Sequence, residues 1–203
     1  MKYAIIGSGA IGTAVAMQFA RKHIEVSVAN SRGPDSLGEL KRRLGRYIKP
    51  ATTQEVAQAE IAILAVPFGT VPEVVKEFGS SRPGIVIDAT NAIDFPSFTP
   101  TDLGGRPSSE VVGEAVAGSL LVKAFNTLPA KVLEAAPIEA GLHRVIFLSG
   151  DNAEACKAVS ALLEALDFFP VSLGRLAEGG RLQEFGGPLT LQNLLRKDAV
   201  AAP

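Results

Sequence analysis

The chain is poor in the residue types that most often advertise a function. Its 203 residues include a single cysteine, Cys156, and only two histidines, His23 and His143. One cysteine can close no internal disulfide framework and cannot form a cysteine cluster for zinc. Cys156 sits in an apolar helical stretch, where a small core residue is the simpler reading. His23 follows the first helical stretch and His143 precedes a strand-like run, positions that favour structural roles over catalytic ones. Charge is balanced, with 20 Lys and Arg against 21 Asp and Glu, so there is no basic field for a nucleic acid. No uninterrupted apolar run reaches the roughly 18 residues that a membrane span needs. A cytoplasmic protein without nucleic-acid or membrane partners is the expectation. Several catalytic templates are missing as well. The stretch "GEAVAGS" at 113–119 lacks the Lys-Ser/Thr pair of a phosphate-binding loop, and no G-x-S-x-G, H-E-x-x-H or EF-hand pattern occurs. No metal site is expected.

What the chain does have is an apolar framework. Hydrophobic residues make up 47% of it, enough for a real core, and a chain of this length suits one α/β domain that buries roughly 70% of its unfolded surface. Strand-like runs at 2–6, 24–29, 46–49, 61–66, 85–88, 120–124, 144–148 and 168–172 alternate with helical stretches. That alternation predicts a Rossmann-type, doubly wound α/β fold: a mostly parallel sheet with helices on both faces, in a single domain over 1–203. Helix starts are marked by capping boxes at Ser36 to Glu39, Thr52 to Glu55, Thr70 to Glu73 and Asp151 to Glu154. The region 94–109, rich in Pro, Gly, Ser and Thr, shows no period and reads as a long loop, either functional or disordered.

Residues 5–12 read "IIGSGAIG". Lys2 and the apolar residues behind it have the outline of a signal peptide, but such a segment has no reason to space its glycines as Gly7, Gly9 and Gly12. Between a strand and a helix, G-x-G-x-x-G has a physical logic. Gly7 permits the tight turn, Gly9 lets a pyrophosphate touch the backbone, and Gly12 lets helix and strand pack closely. The helix N-terminus then offers unpaired N–H groups to the anion. A dinucleotide is the expected ligand.

Its kind is suggested about 20 residues further on, where an NAD-binding fold usually carries an acid that accepts hydrogen bonds from the ribose. Here the second strand ends "VANSRG". Asn30 stands near the place of the acid and Ser31 and Arg32 follow, so repulsion of a 2′-phosphate is removed and matching donors are supplied. NADP is therefore expected over NAD. The run Lys41, Arg42, Arg43 reads as an exposed helix face. Downstream, "PFG" at 67–69, "DATNAI" at 88–93 and "KAFNT" at 123–127 should border the crevice at the carboxyl ends of their strands. Lys123 is the one candidate base among them.

Taken together, "IIGSGAIGTAVA", "NSRGP", "AVPFGTV", "DATN" and "VKAFNTL", in this order and spacing, resemble the NADP oxidoreductases dependent on the deazaflavin coenzyme F-420, in their bacterial branch. The C-terminal "GRLAEGGRLQEFGGPLTLQNLL" also looks like the ending of those members. The resemblance implies reversible hydride transfer between NADP(H) and F-420. It implies that Gly7, Ser8, Gly9, Ala10 and Ile11 surround the pyrophosphate and that Ser31 and Arg32 meet the 2′-phosphate. Val66, Pro67, Asn91, Ala124 and Asn126 would lie near the nicotinamide. A flavin, a quinone or another small redox acceptor fits the same pocket, and the same motif set occurs in the reductase module of transmembrane ferric reductases, so a soluble flavin or metal reductase stays open. A non-enzymatic NADPH-binding redox sensor is the alternative of another class. With no catalytic acid–base pair evident, hydride transfer by placement alone is expected. The tail over 174–203 is expected to complete the crevice or a homodimer interface.

Overall fold

The computed structural model describes residues 1–94 and 96–197. Every strand-like run of the sequence forms a strand, with shifted ends: β1 (Tyr3–Ile6), β2 (Val26–Ala29), β3 (Ile48–Pro50), β4 (Ile61–Leu64), β5 (Ile85–Asp88), β6 (Leu120–Ala124), β7 (Leu142–Gly150) and β8 (Phe169–Ser172). They lie in the order β8-β7-β6-β5-β4-β1-β2-β3. All neighbours pair in parallel except β7, which runs antiparallel to β6 and parallel to β8. Strand order departs from β1 in two directions, so the switch point of the sheet, where ligands of such folds bind, lies between β1 and β4.

Each face of the sheet is sealed by its own helices. On one side α1 (Ala10–Arg21), α6 (Ala130–Glu134) and α7 (Ala153–Ala165) pack Phe19, Leu133, Val159 and Leu163 against Ile5, Ile63 and Ile87. On the other, α3 (Thr53–Val56), α4 (Val71–Lys76) and α5 (Ser108–Ala115) pack Val56, Val75 and Val112 against Ile6, Leu64 and Val86. Strands covered on both faces are largely apolar, and β4, "IAIL", is buried at every position. Each fully buried Ile, Leu or Phe contributes about 1.5–3 kcal/mol by leaving water.

The expected capping boxes fare differently. At Thr52 the box is present: its side chain accepts from the Glu55 N–H while the Glu55 carboxylate accepts from the Thr52 N–H at 2.7 Å, which holds the Glu55 carboxyl below its usual range. Ser36 instead lies inside a 3₁₀ turn, with its hydroxyl on Asn30 and Gly33, and α2 (Gly38–Leu44) begins behind Leu37. Thr70 turns its hydroxyl back to the Pro67 carbonyl. The cap of α7 is Asn152, one residue beyond the expected Asp151. Residues 94–109 are not a plain loop: Ile93–Asp94 pairs with Thr99–Pro100 as a short hairpin, and α5 starts at Ser108.

Strand register also creates a buried polar row. Asp88 on β5 lies opposite Lys123 on β6, and Lys123 lies opposite Ser149 on β7; all three are 0% exposed. The Lys123 ammonium donates to Asp88 Oδ2 at 2.8 Å and to the Thr90 carbonyl at 3.2 Å, while Asp88 Oδ1 accepts from the Thr90 N–H and hydroxyl. Removing one partner of such a pair leaves an uncompensated charge in the core, at a cost of about 3–5 kcal/mol. Lys123→Met should therefore lower stability in urea by about that amount, and adding Asp88→Asn, which keeps an oxygen for Thr90, should recover most of it. Equal stability of the single and double variants would contradict a compensated ion pair.

Candidate functional site

At the switch point the three motif glycines are each required for a different reason. Gly7 has φ +108°, and any Cβ there would run into the carbonyl of Ala65 at the end of β4. A Cβ on Gly12 would run into the carbonyl of Gly7, so α1 touches the strand it follows. Gly9 faces open space, with nothing within 4 Å of its would-be Cβ. It precedes α1 in an extended conformation, no side chain caps the helix, and no acid stands in its first turn. The first N–H groups of α1, carried by Ala10, Ile11 and Gly12, are thus left for an outside acceptor. Room at Gly9 and unfilled donors beside it fit a pyrophosphate.

Next to this turn is a cleft of about 760 Å³. Its walls are the 7–9 turn, the loop carrying Asn30, Ser31 and Arg32, and the segment from Val66 into α4. Asn30, in the place of the expected acid, is occupied by the fold itself. Its Nδ2 donates to the Ser8 hydroxyl at 2.8 Å, and its Oδ1 accepts from the Arg32 N–H at 2.9 Å and from the Ser36 hydroxyl. Asn30 therefore shapes the loop, while Ser31 and Arg32 are exposed at its tip. Arg32 makes no ion pair among the described residues, and it shares a second recess with Arg43 of the exposed α2 face. Glu73 and Glu77 stand on the wall at α4, so positive charge is confined to the loop side.

Val66 and Pro67 line this cleft; Asn91, Ala124 and Asn126 do not. Asn91 and Asn126 are nevertheless brought together, with Asn91 Nδ2 donating to the Asn126 carbonyl at 2.8 Å and Asn126 Nδ2 donating to Asn91 Oδ1 at 3.1 Å. Between Ala124 and Asn126, Phe125 adopts φ 65° with its ring buried edge-on against Phe168. A left-handed non-glycine backbone costs on the order of 1–3 kcal/mol and persists where packing over-determines it. Ala124 keeps its own side chain in the α1 and α7 core, so only its backbone is near this turn.

Lys123 is fully buried under the turn in its pair with Asp88. His23 stacks on Tyr47 with ring centroids 5.0 Å apart, and His143 Nδ1 lies 2.8 Å from the Asp167 carbonyl. The Cys156 thiol is pushed up by burial and secondarily by Asp151, which makes it a poor nucleophile. Among the described residues no three His, Cys, Asp or Glu side chains are grouped to hold a metal, and no helix is long and apolar enough to cross a membrane.

Sequence reasoning placed Asp88 at this edge within "DATNAI" but missed its pairing with Lys123, and it missed Ser149 and Gln183 altogether. Pairing β5 with β6 would have revealed the Asp88–Lys123 pair, but nothing in "RLQEF" marks Gln183.

A glycine turn with open space at Gly9, at the switch point of a doubly wound sheet, defines the class of dinucleotide-binding α/β proteins. Within that class, residues 2–92 match the model of the family described as NADP oxidoreductase coenzyme F420-dependent. A crystal structure of a hypothetical protein from Sinorhizobium meliloti is 48% identical over 97% of this chain and 96% of its own, with a TM-score of 0.93. One from Arthrobacter sp. FB24, described as an F-420-dependent NADP reductase, has the same fold at a TM-score of 0.71, with 24% identity over 89% of this chain and 88% of its own. The metalloreductase STEAP3 of Rattus norvegicus is 28% identical over 90% of this chain and 36% of its own length. The chain spans between 22% and 52% of the length of the curated relatives it matches.

The glycines should fail in different ways. Gly9→Val should leave the melting temperature almost unchanged yet abolish NADPH binding in titration calorimetry, because the side chain takes the space before the helix end. Gly12→Val should unfold the protein or lower its melting temperature sharply. Retained NADPH binding by a folded Gly9→Val protein would contradict this division.

Proposed function

We propose that the protein binds NADP(H) in the cleft at Gly7 to Gly12 and transfers hydride between its nicotinamide and a second cofactor-like acceptor, with the deazaflavin F-420 as the leading candidate. The observation that carries this reading is the uncapped N-terminus of α1 facing the open space at Gly9, beside an exposed Arg32 that makes no ion pair among the described residues. In this reading Gly7, Ser8, Gly9, Ala10 and Ile11 hold the pyrophosphate. Ser31 and Arg32 meet the 2′-phosphate, and Asn30 sets the shape of their loop. Val66, Pro67, Asn91 and Asn126, with the backbone at Ala124, bound the nicotinamide end.

NADP supplies the hydride chemistry when bound; the protein supplies placement. Burial of Lys123 in its ion pair and the structural engagements of both histidines support a mechanism without a side-chain proton donor. A soluble flavin or metal reductase is the second reading, favoured by the similarity to STEAP3. NADPH oxidation across F-420, FMN, FAD, quinones and ferric chelates separates the two, and tight NADPH binding with negligible oxidation by all of them would indicate a sensor. We further propose a homodimer, supported by the exposed tail residues Leu182, Leu191 and Leu194, which light scattering at micromolar concentration tests.

NADPH should bind at least tenfold more tightly than NADH. Arg32→Ala should erase most of that preference and spare NADH, since a charge-assisted bond to phosphate is worth about 1.5–3 kcal/mol. Equal affinities of the unmodified protein for the two nucleotides would overturn the assignment of the loop.

A further inference from the structure

The last part of the chain returns across the sheet onto the polar row. Reversal of β7 leaves β8 ending at the amino edge of the parallel strands, so the segment after Ser172 must cross the α5 face to come back toward the carboxyl edge. It does so through a π-turn at Leu176–Gly180, where Leu176 joins the core of that face. Gly179 there lies so close to Ser149 that a Cβ would stand 2.5 Å from the Ser149 hydroxyl.

Gln183 then enters the interior at 1% exposure. Its Oε1 accepts from the Ser149 hydroxyl at 2.6 Å and its Nε2 donates to the Phe147 carbonyl at 3.1 Å, which fixes the orientation of the amide. Its own backbone carbonyl accepts from Asn126 Nδ2 at 2.7 Å. Asn126 Nδ2 therefore has both protons committed, one to Gln183 and one to Asn91. Asn91 gives one amide proton to the Asn126 carbonyl and is left, half-buried, with one donor and one acceptor direction unused among the described residues. A donor and an acceptor side by side on one amide are the complement of a primary carboxamide.

We propose that Gln183 is a positioning residue: through Asn126 it holds the Asn91 amide in the orientation that receives the carboxamide of the nicotinamide ring, so that seating of the tail sets the fit of the reactive half of the nucleotide. The inference rests on the reading above that Asn91 and Asn126 lie beside the nicotinamide. A side chain that only stabilised the fold would affect every ligand alike. A positioning residue affects one end of the dinucleotide.

The test compares NADPH with adenosine 2′,5′-bisphosphate, which carries the adenosine half alone, in titrations of the full chain. Gln183→Leu should weaken NADPH about tenfold, the scale of one or two lost hydrogen bonds, and leave the bisphosphate within twofold. In an Asn91→Ala background the same substitution should cause no further loss, because the residue through which it acts is gone. Unchanged NADPH affinity, an equal fall for both ligands, or additive losses in the double variant would each overturn the proposal. Should Gln183→Leu fail to fold, Ser149→Ala, which leaves Gln183 in place but frees its amide, carries the same comparison. If the unmodified protein binds neither ligand, the nucleotide reading itself is wrong.

Discussion

Much of the site depends on how closely α1 approaches β1. The contact is backbone on backbone, Gly12 against Gly7, and no residue with a side chain can reproduce it. That approach sets the position of the helix end, the direction of its open N–H groups and the width of the space before Gly9. Gly7 is tied in turn to both neighbouring strands, by its N–H to the Ala29 carbonyl and by its tight packing on Ala65. The turn is thus held by the centre of the sheet, which is the most rigid support the fold can offer a ligand.

The other half of the carboxyl edge is held by a different kind of force. There the sheet carries Asp88, Lys123 and Ser149 in its interior, and burying charge is unfavourable unless each group is satisfied. Satisfaction comes from Thr90 on one side and from Gln183 on the other. The chain therefore trades apolar packing for hydrogen-bond geometry in the place where Asn91 and Asn126 meet. Phe125 adds to this, since its left-handed backbone is held by a ring locked against Phe168.

Alternation of strands and helices was legible in the sequence because strands covered on both faces are largely apolar, as in "IAIL". The glycine spacing was legible because each glycine answers a steric demand that few residues can meet. Reversal of β7 was not, since the side-chain pattern of a buried strand is the same in either direction. Nor was the role of Asn30: its absent charge could be read, but its bonds to Ser8, Arg32 and Ser36 follow only from how the loop folds. Two capping boxes failed for a related reason, because Ser36 and Thr70 had carbonyls within closer reach than a helix N–H. The tail was the least legible part, as Gln183 is buried by topology and not by any local pattern.

Asn30 has a consequence for how this protein can diverge. One amide joins the glycine turn, the loop tip and the following 3₁₀ turn. A carboxylate there would add a negative charge and, having no amide donor, would accept from the Ser8 hydroxyl, the reverse of the present bond. The charge at this position and the bonding of the loop are thus set by a single side chain. A change of charge at residue 30 therefore also changes the bonding of the glycine turn and of the following 3₁₀ turn, so such changes should be inherited together with substitutions at neighbouring residues.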